Sequence, residues 1–358
     1  MQLKFLIYIS YSYALPIGLP LETEILKRDC TVKWFADIED GKKAIKYKTN
    51  TLKTIQDIIN YKPDIVLTAT NDVPDFITGL KVQIFHGFLT YKRPDKKHID
   101  AHFRVRGFFD LYCTQGPTTT KGFKAQQKKH PYFQVIETGW SKVDPLFPIE
   151  KKKHSKTIMI ASTFTERLSL AYNNDVFEEI KQLSSTKTFN FIMVLHPKLP
   201  NEIKDKWKSL NNDNFKFHNT TDLIPLFKEA DIMFADTTSA IQEFLLQKKP
   251  VVTFNHTFNH NYLINVKNPE AIEDAFTKAF TYPENLIKNI DEFINQLHPY
   301  FDGKSSERII ESCITYLYKD KSYLKNKPLN LIRKYKIRKR LGYFTFKSYN
   351  KSFTKKLM

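Results

Sequence analysis

The chain has 358 residues, 41% hydrophobic and 14% aromatic, enough for two domains with a sizeable core and unlike a low-complexity chain. Its formal net charge is +18, but thirteen Lys/Arg and no Asp/Glu fall in residues 321–358, so the first 320 residues carry only +5; no nucleic-acid-binding motif accompanies the charge. Cys30, Cys113 and Cys313 are odd in number and far apart, which fits neither a disulfide framework nor a zinc site and points to a reducing compartment.

The first apolar run, residues 3–9, is too short to span a bilayer and is read as a buried strand. Pro16, Gly18 and Pro20 interrupt the next stretch, with no small-residue cleavage pattern. Further strands are expected at 32–35, 65–68, 82–85, 111–114 and 134–137, then at 157–161, 191–195, 215–217, 232–234 and 251–254. Helical spacing of apolar residues marks 51–60, 174–183, 222–229, 239–248 and 270–280, and the region after 285 reads as mostly helical. Strands alternating with helices predict an α/β fold with parallel sheets and crossover helices. Pro145, Pro148 and the run Lys151-Lys152-Lys153-His154 place a boundary near 145–156. The expected domains are 1–150 (acceptor side), 151–320 (nucleotide-donor side) and a basic, aromatic segment, 321–358. Neither half holds a G-x-G-x-x-G fingerprint, so a nicotinamide or flavin cofactor has no support.

Ligands of open α/β sheets bind beyond the carboxyl ends of strands, and three candidate residues stand there. His86, after 82–85, has the pKa range of a general base, and Lys92 and Arg93 can hold an anionic acceptor. A histidine that satisfies a local backbone group explains His86 equally well. His196 and Lys198, after 191–195, can donate to a phosphate; a strand-capping His-Pro turn explains them too. Asp236 ends the strand at 232–234, and Thr237-Thr238-Ser239 lead into a helix whose N-terminus suits a pyrophosphate. Glu243, four residues after Ser239, can accept from ribose hydroxyls. An ordinary N-cap followed by a surface glutamate accounts for the same residues. Residues 321–358 interleave cations with Leu, Ile, Tyr and Phe, a composition suited to an anionic membrane surface, although a solvated tail has the same composition.

Taken in order, these residues resemble the CDP-glycerol glycerophosphotransferase family of teichoic-acid and capsule polymer synthesis. Gly139-Trp140-Ser141-Lys142-Val143-Asp144-Pro145-Leu146-Phe147 is similar to its G-[YW]-P-[RK]-x-D-x-L-F segment, with Ser141 where Pro is usual. Asp236 to Ser239 is similar to D-Y-S-S, with Thr237 for Tyr, and Asp302 to Arg308 is similar to D-G-K-A-S-E-R. Lys92 follows His86 by six residues, where the family commonly has Lys at five. The resemblance implies a GT-B fold: two facing Rossmann-like domains with a cleft between them. It also implies metal-independent attack of an acceptor hydroxyl on the β-phosphate of a CDP-activated donor, with no cofactor. On that model His86 is the general base. His196, Lys198, Thr238 and Ser239 hold the donor phosphates, Asp236 and Glu243 face the nucleotide, and Lys92 and Arg93 face a lipid-linked or polymeric glycan acceptor. The segment 321–358 would then hold the enzyme at the inner face of the cell membrane.

Two other enzyme readings share the fold. Ser239 to Glu243 and His298 to Lys304 also resemble stretches of UDP-N-acetylglucosamine 2-epimerases, although residues 10–21 lack a G-T-R-P-E-like loop. A sugar-nucleotide glycosyltransferase is the second. A non-catalytic membrane-bound scaffold is the alternative from another class.

Overall fold

The computed structural model describes residues 2–89, 102–150 and 155–356. The described residues form two compact units. One comprises those within 1–87, 98–145 and 297–358; the other, those within 88–97 and 146–296.

The first unit begins with β1 (Lys4–Ile9), α1 (Leu15–Lys27), β2 (Thr31–Ala36), α2 (Glu39–Ala44) and α3 (Ile55–Tyr61). It continues with β3 (Ile65–Thr68), β4 (Leu80–Gln83), β5 (Leu111–Thr114), α4 (Pro117–Lys129) and β6 (Gln134–Glu137). Its six strands pair in the order β2-β1-β3-β4-β5-β6, all parallel. Parallel neighbours need crossover connections, which is why helices separate many of them along the chain.

The second unit holds β7 (Thr157–Ser162), α5 (Asn174–Ser185), β8 (Asn190–Leu195), α6 (Asn201–Lys208), β9 (Phe215–His218) and α7 (Ile224–Glu229). It then holds β10 (Ile232–Ala235), α8 (Ala240–Leu245), β11 (Val251–Phe254), β12 (Ile264–Val266), α9 (Ile272–Phe280) and α10 (Glu284–Leu297). Its sheet order is β12-β11-β10-β7-β8-β9, again all parallel. β7 and β10 are buried along their whole length, as expected of central parallel strands covered on both faces. Phe189, Phe191, Phe215, Phe234 and Phe276 supply much of the apolar core between this sheet and its helices.

The chain then returns to the first unit with α11 (Ser305–Tyr318) and α12 (Leu331–Leu341). α11 packs against α1. The expected range 151–320 therefore includes residues, from Leu297 onward, that the structure groups with the first unit.

Helix α1 runs through Pro16, Gly18 and Pro20, which the sequence marks as breakers. Pro16 sits in the first turn, where a missing N–H costs nothing, although Pro20 lies inside the helix. Gly18 is there because α1 lies directly on β2: a Cβ at this position would overlap the Trp34 ring. The Trp34 indole N–H donates to Glu22 of α1 at 2.9 Å, and Glu22 also accepts from Lys48 and Asn50. Gly18→Ala is therefore expected to destabilise the protein by about 1–3 kcal/mol through overpacking. Urea denaturation checks it: the midpoint falls and the slope stays.

The basic C-terminal segment is not detached from the body. Of its thirteen cations, Lys327, Lys334, Arg338, Arg340 and Lys355 form ion pairs with acids of the first unit. Lys334 and Arg338 of α12 reach Asp75 at 3.4 and 2.7 Å, and both pairs are almost fully buried. Lys327 pairs with Asp110 in the interior. A buried charge left without its partner is strongly unfavourable, so these pairs specify where the segment docks. The opposite side of the same segment exposes Leu329, Leu331, Ile332, Tyr335, Phe344 and Phe346. Among the described residues, no helix is long and apolar enough to cross a membrane.

Candidate active site

In the first unit the carboxyl ends of the strands converge on His86. The strand before it ends at Gln83 rather than at 85, and Phe85 adopts a left-handed φ of 55°. A bulky residue in that region is strained by roughly 1–3 kcal/mol and persists only when its surroundings hold it. Here the Phe85 ring packs on Phe123 at 5.0 Å, and its carbonyl accepts from the Trp140 indole at 3.3 Å. Gly87, by contrast, has no left-handed φ, and a Cβ there would meet nothing within 4 Å. Its carbonyl accepts from Gln115, just past β5, at 3.0 Å.

The His86 ring is open to solvent on one side and packed on the other. Nδ1 lies 3.3 Å from the carbonyl of Ala69, just past β3, and Tyr13, just past β1, tilts against the ring at 5.5 Å. A carbonyl only accepts, so Nδ1 carries the hydrogen and Nε2 keeps its lone pair. Desolvation on the packed side lowers the His86 pKa below the ordinary 6.5; the Ala69 bond opposes the shift and Arg106 adds to it. His86 is thus a neutral base at neutral pH. Residues beyond four different strands hold it there.

The Gly139–Phe147 and Asp302–Arg308 motifs meet, and their work is structural. The Asp144 carboxylate accepts from the backbone N–H groups of Ser305 and Ser306 at 2.9 and 2.7 Å and from the Ser306 hydroxyl at 2.6 Å. It thereby caps the first turn of α11, where N–H groups have no partner within the helix. The Trp140 N–H donates to Nε2 of buried His298 at 3.0 Å. Burial lowers the His298 pKa to about 4, so this acceptor stays neutral at neutral pH. Gly139, at φ 84°, abuts Ser305, and a side chain there would collide with it. Asp144→Ala removes an acceptor from three donors and is expected to cost about 2–3 kcal/mol. Amide exchange in α11 should rise first if the cap is what seats the helix.

In the second unit, Asp236 follows β10 with its side chain fully buried. Its carboxylate accepts from the Ser162 hydroxyl at 2.6 Å and from the N–H groups of Thr163 and Leu170 at 3.0 and 3.1 Å. Ser162 also bonds Ser169 at 2.7 Å. Asp236 therefore ties the loop after β7 to the end of β10. Burial raises its pKa to about 6, against the pull of its donors.

Thr238 and Ser239 are half-buried at the start of α8; Ser239 is the N-cap residue but makes no side-chain cap bond. The Thr238 hydroxyl accepts weakly from the Ala240 N–H, at 3.4 Å. The Thr237 hydroxyl is buried without a partner among the described residues. Glu243 is 6% exposed, which removes the reading of it as a surface charge. The loop tied down by Asp236 lines a pocket of about 240 Å³ whose polar side chains include Arg167, Ser169, Asn173 and Asn255.

His196 stands one residue past β8, half-buried, with its ring against Phe164 at 4.6 Å. Its Nδ1 accepts the Lys198 N–H at 3.1 Å. In the neutral ring the hydrogen is then on Nε2, which becomes a donor. The Lys198 ammonium lies 5.3 Å from the Phe164 ring centre. No site role was expected of Phe164, Ser162 or Tyr13, although Ser162 ends β7 and Phe164 and Tyr13 follow the ends of β7 and β1. Lys92 and Arg93 lie outside the described residues.

Comparison with known proteins gives two kinds of likeness. The family model for UDP-N-acetylglucosamine 2-epimerase matches residues 146–313. A teichoic acid poly(ribitol-phosphate) polymerase of Bacillus spizizenii is 22% identical over 207 residues, 50% of this chain and 33% of the polymerase. The chain thus spans about a third of the length of the curated relative it matches. Among solved structures, the wall teichoic acid polymerase TagF is similar with a TM-score of 0.60 at 13% identity, covering 88% of each chain. The UDP-GlcNAc 2-epimerase from Neisseria meningitidis, bound to UDP-GlcNAc, is similar with a TM-score of 0.60 at 17% identity, covering 87% of this chain and 100% of the epimerase. Together with the two parallel six-stranded sheets, these likenesses establish the GT-B fold.

Proposed function

We propose that the protein transfers glycerol phosphate, or a related polyol or sugar phosphate, from a CDP-linked donor to a hydroxyl of a lipid-linked or polymeric surface-glycan acceptor. The observation that carries this reading is His86: a neutral imidazole at a strand end, with Nδ1 on a carbonyl and Nε2 able to take a proton. In the reaction the acceptor O–H gives its proton to His86 Nε2, its oxygen bonds the donor β-phosphorus, and the bridging P–O bond breaks to release CMP. The Nε2 donor of His196, with Lys198, Thr238 and Ser239, suits the donor phosphates. Lys92 and Arg93 remain assigned to the acceptor on the sequence alone. Glu243 remains assigned to the nucleotide.

The partial likeness to a poly(ribitol-phosphate) polymerase supports the reading, and the match of residues 146–313 to the epimerase model supports the alternative, conversion of UDP-N-acetylglucosamine without an acceptor. A donor panel separates them. Purified protein with membrane extract is given CDP-glycerol, CDP-ribitol or UDP-N-acetylglucosamine. Acceptor-dependent CMP release supports the transferase; acceptor-independent epimerisation replaces it.

The reading includes an anionic membrane at the outer side of residues 321–358, at the inner face of the cell membrane. Exposed Leu331, Ile332, Tyr335, Phe344 and Phe346 support it, beside Arg333, Lys336 and Lys339, which have no ion-pair partner among the described residues. Apolar insertion and roughly 1 kcal/mol per cation act together at such a surface. Sedimentation with phosphatidylglycerol vesicles but not with phosphatidylcholine vesicles is the expected result. Ile332→Asp combined with Phe346→Asp should abolish it.

A further inference from the structure

Three arginines of the first unit, Arg104, Arg106 and Arg333, lie within electrostatic reach of one another, and the charge of Arg106 is felt at His86. We propose that Arg106, with Arg104 and Arg333, binds a phosphate ester of the acceptor and so brings the attacking hydroxyl to His86. As an anion site the proposal stands alone; as an acceptor subsite it rests on the transferase reading.

Two segments far apart in sequence build the cluster. Residues 103–110 lead into β5, and Phe103 packs edge-on against Phe123 at 5.4 Å, while Phe123 packs on Phe85, next to His86, at 5.0 Å. The Phe103 ring also fills the space over Gly122, where a Cβ would collide with it. The chain then turns at Gly107, φ 78°, against Pro328 of the C-terminal segment. Asn330, just before α12, joins the two segments. Its side-chain N–H donates to the Arg106 carbonyl, and its Oδ1 accepts from the Arg333 guanidinium at 2.9 Å. One side chain thus holds Arg106 and Arg333 together.

Arg106 is half-buried, whereas Arg104 and Arg333 are exposed. None of the three has an ion-pair partner among the described residues, and the Arg106 guanidinium makes no hydrogen bond among them. The Asp72 carboxylate acts on Arg106, but it is already paired with Arg340 at 2.8 Å. Desolvation and the charges of Arg104 and Arg333 lower the Arg106 pKa, the reverse of what an ion pair does. A partly desolvated cation crowded by two others is unfavourable until an anion joins it. Guanidinium groups fit phosphate oxygens in pairs, and three of them carry more charge than one carboxylate answers. The base feels the same charge: Arg106 lowers the His86 pKa, and an anion on Arg106 relieves that, so a filled site leaves His86 the stronger base. Arg333 follows exposed Leu331 and Ile332, so a phosphate carried on a lipid can reach the cluster from the side proposed to face the membrane.

Calorimetric titration of the full chain, without donor nucleotide, tests the site with glycerol 3-phosphate and octyl phosphate as probes. Glycerol 3-phosphate should bind saturably, and Arg106→Gln should bind it about tenfold more weakly, the effect of losing a charge-assisted hydrogen bond. Lys129→Gln removes an equal charge from the exposed end of α4 and should leave binding unchanged. Urea denaturation separates binding from a structural role. Arg106→Gln should keep or raise the midpoint, because no acid loses a partner; a fall would assign Arg106 to the fold instead. Tighter binding of octyl phosphate than of glycerol 3-phosphate would identify a lipid-linked phosphate as the natural source; equal or weaker binding would identify a polymeric or soluble one. No saturable binding by the wild type, or equal binding by the wild type and Arg106→Gln, overturns the site. Because no transfer is measured, either result leaves the catalytic reading to its own test.

Discussion

His86→Ala is expected to lower kcat for phosphoryl-group transfer by about 10²–10⁴, the usual contribution of a positioned general base. KM for the donor should change little, because the side chain acts on the acceptor proton. The pH profile should move with it. Desolvation holds the His86 pKa below 6.5, so the wild-type acid limb should lie below that value, and the variant should lose that limb while keeping its weak residual rate. His86→Gln retains size and polarity without a basic nitrogen and should match the alanine variant. Steady-state kinetics from pH 5 to 8 decide it. Full activity in either variant would reduce His86 to a residue that satisfies the Ala69 carbonyl.

Asp236→Ala is expected to produce the largest loss of stability, about 3–5 kcal/mol. It strands the Ser162 hydroxyl and the Thr163 and Leu170 N–H groups in a buried site. The loop that Asp236 ties down, which lines the 240 Å³ pocket, should loosen. The same residue makes stability depend on pH. Its folded pKa, about 6, lies above the ordinary 3.8, so the folded state binds the proton more tightly than the unfolded chain. Its contribution is complete below pH 3.8 and is lost as pH rises through 6, by on the order of 2–3 kcal/mol. Asp236→Asn should flatten the wild-type curve in that window. Denaturation at a series of pH values measures it, and a wild-type curve that rises between pH 4 and 6.5 and matches that of the asparagine variant would contradict the assignment.

The strands legible in the sequence are those whose surroundings are apolar on both faces. Residues 157–161 and 232–234 read as unbroken apolar runs because β7 and β10 are central and fully buried. β4 was displaced by two residues because Lys81 and Gln83 are polar yet only 2% exposed. The Lys81 ammonium donates to the Ile77 carbonyl at 2.8 Å beside the Tyr349 ring of the C-terminal segment, and burial lowers its pKa to about 7. No local pattern announces such a site. β12 escaped notice because three half-buried residues at a sheet edge make no run. α1 was hidden by Pro16, Gly18 and Pro20, whose tolerance depends on Trp34 in the next strand, and α4 by having Phe123 as its one large apolar residue.

The candidate site was legible as an order of motifs and much less as roles. His86 and His196 were marked by standing past strand ends, but their tautomers depend on Ala69 and on the Lys198 N–H. Asp144 reads as one letter in a motif, whereas its partners Ser305 and Ser306 are more than 160 residues away. Asp236 was marked by standing after a buried strand, but no local pattern announces the Ser162, Thr163 and Leu170 donors that its carboxylate accepts from. The basic segment was read as one surface, but it has two sides, one spent on Asp75 and Asp110 and one left outward.

The central claim is that a phosphate travels with the transferred group. Incubating the protein and membrane acceptor with CDP-glycerol labelled at the β-phosphorus tests it directly. The account predicts that the label enters the acceptor polymer while unlabelled CMP is released in equal amount. Label retained in released CDP, or no acceptor-dependent turnover alongside conversion of UDP-N-acetylglucosamine, would contradict it.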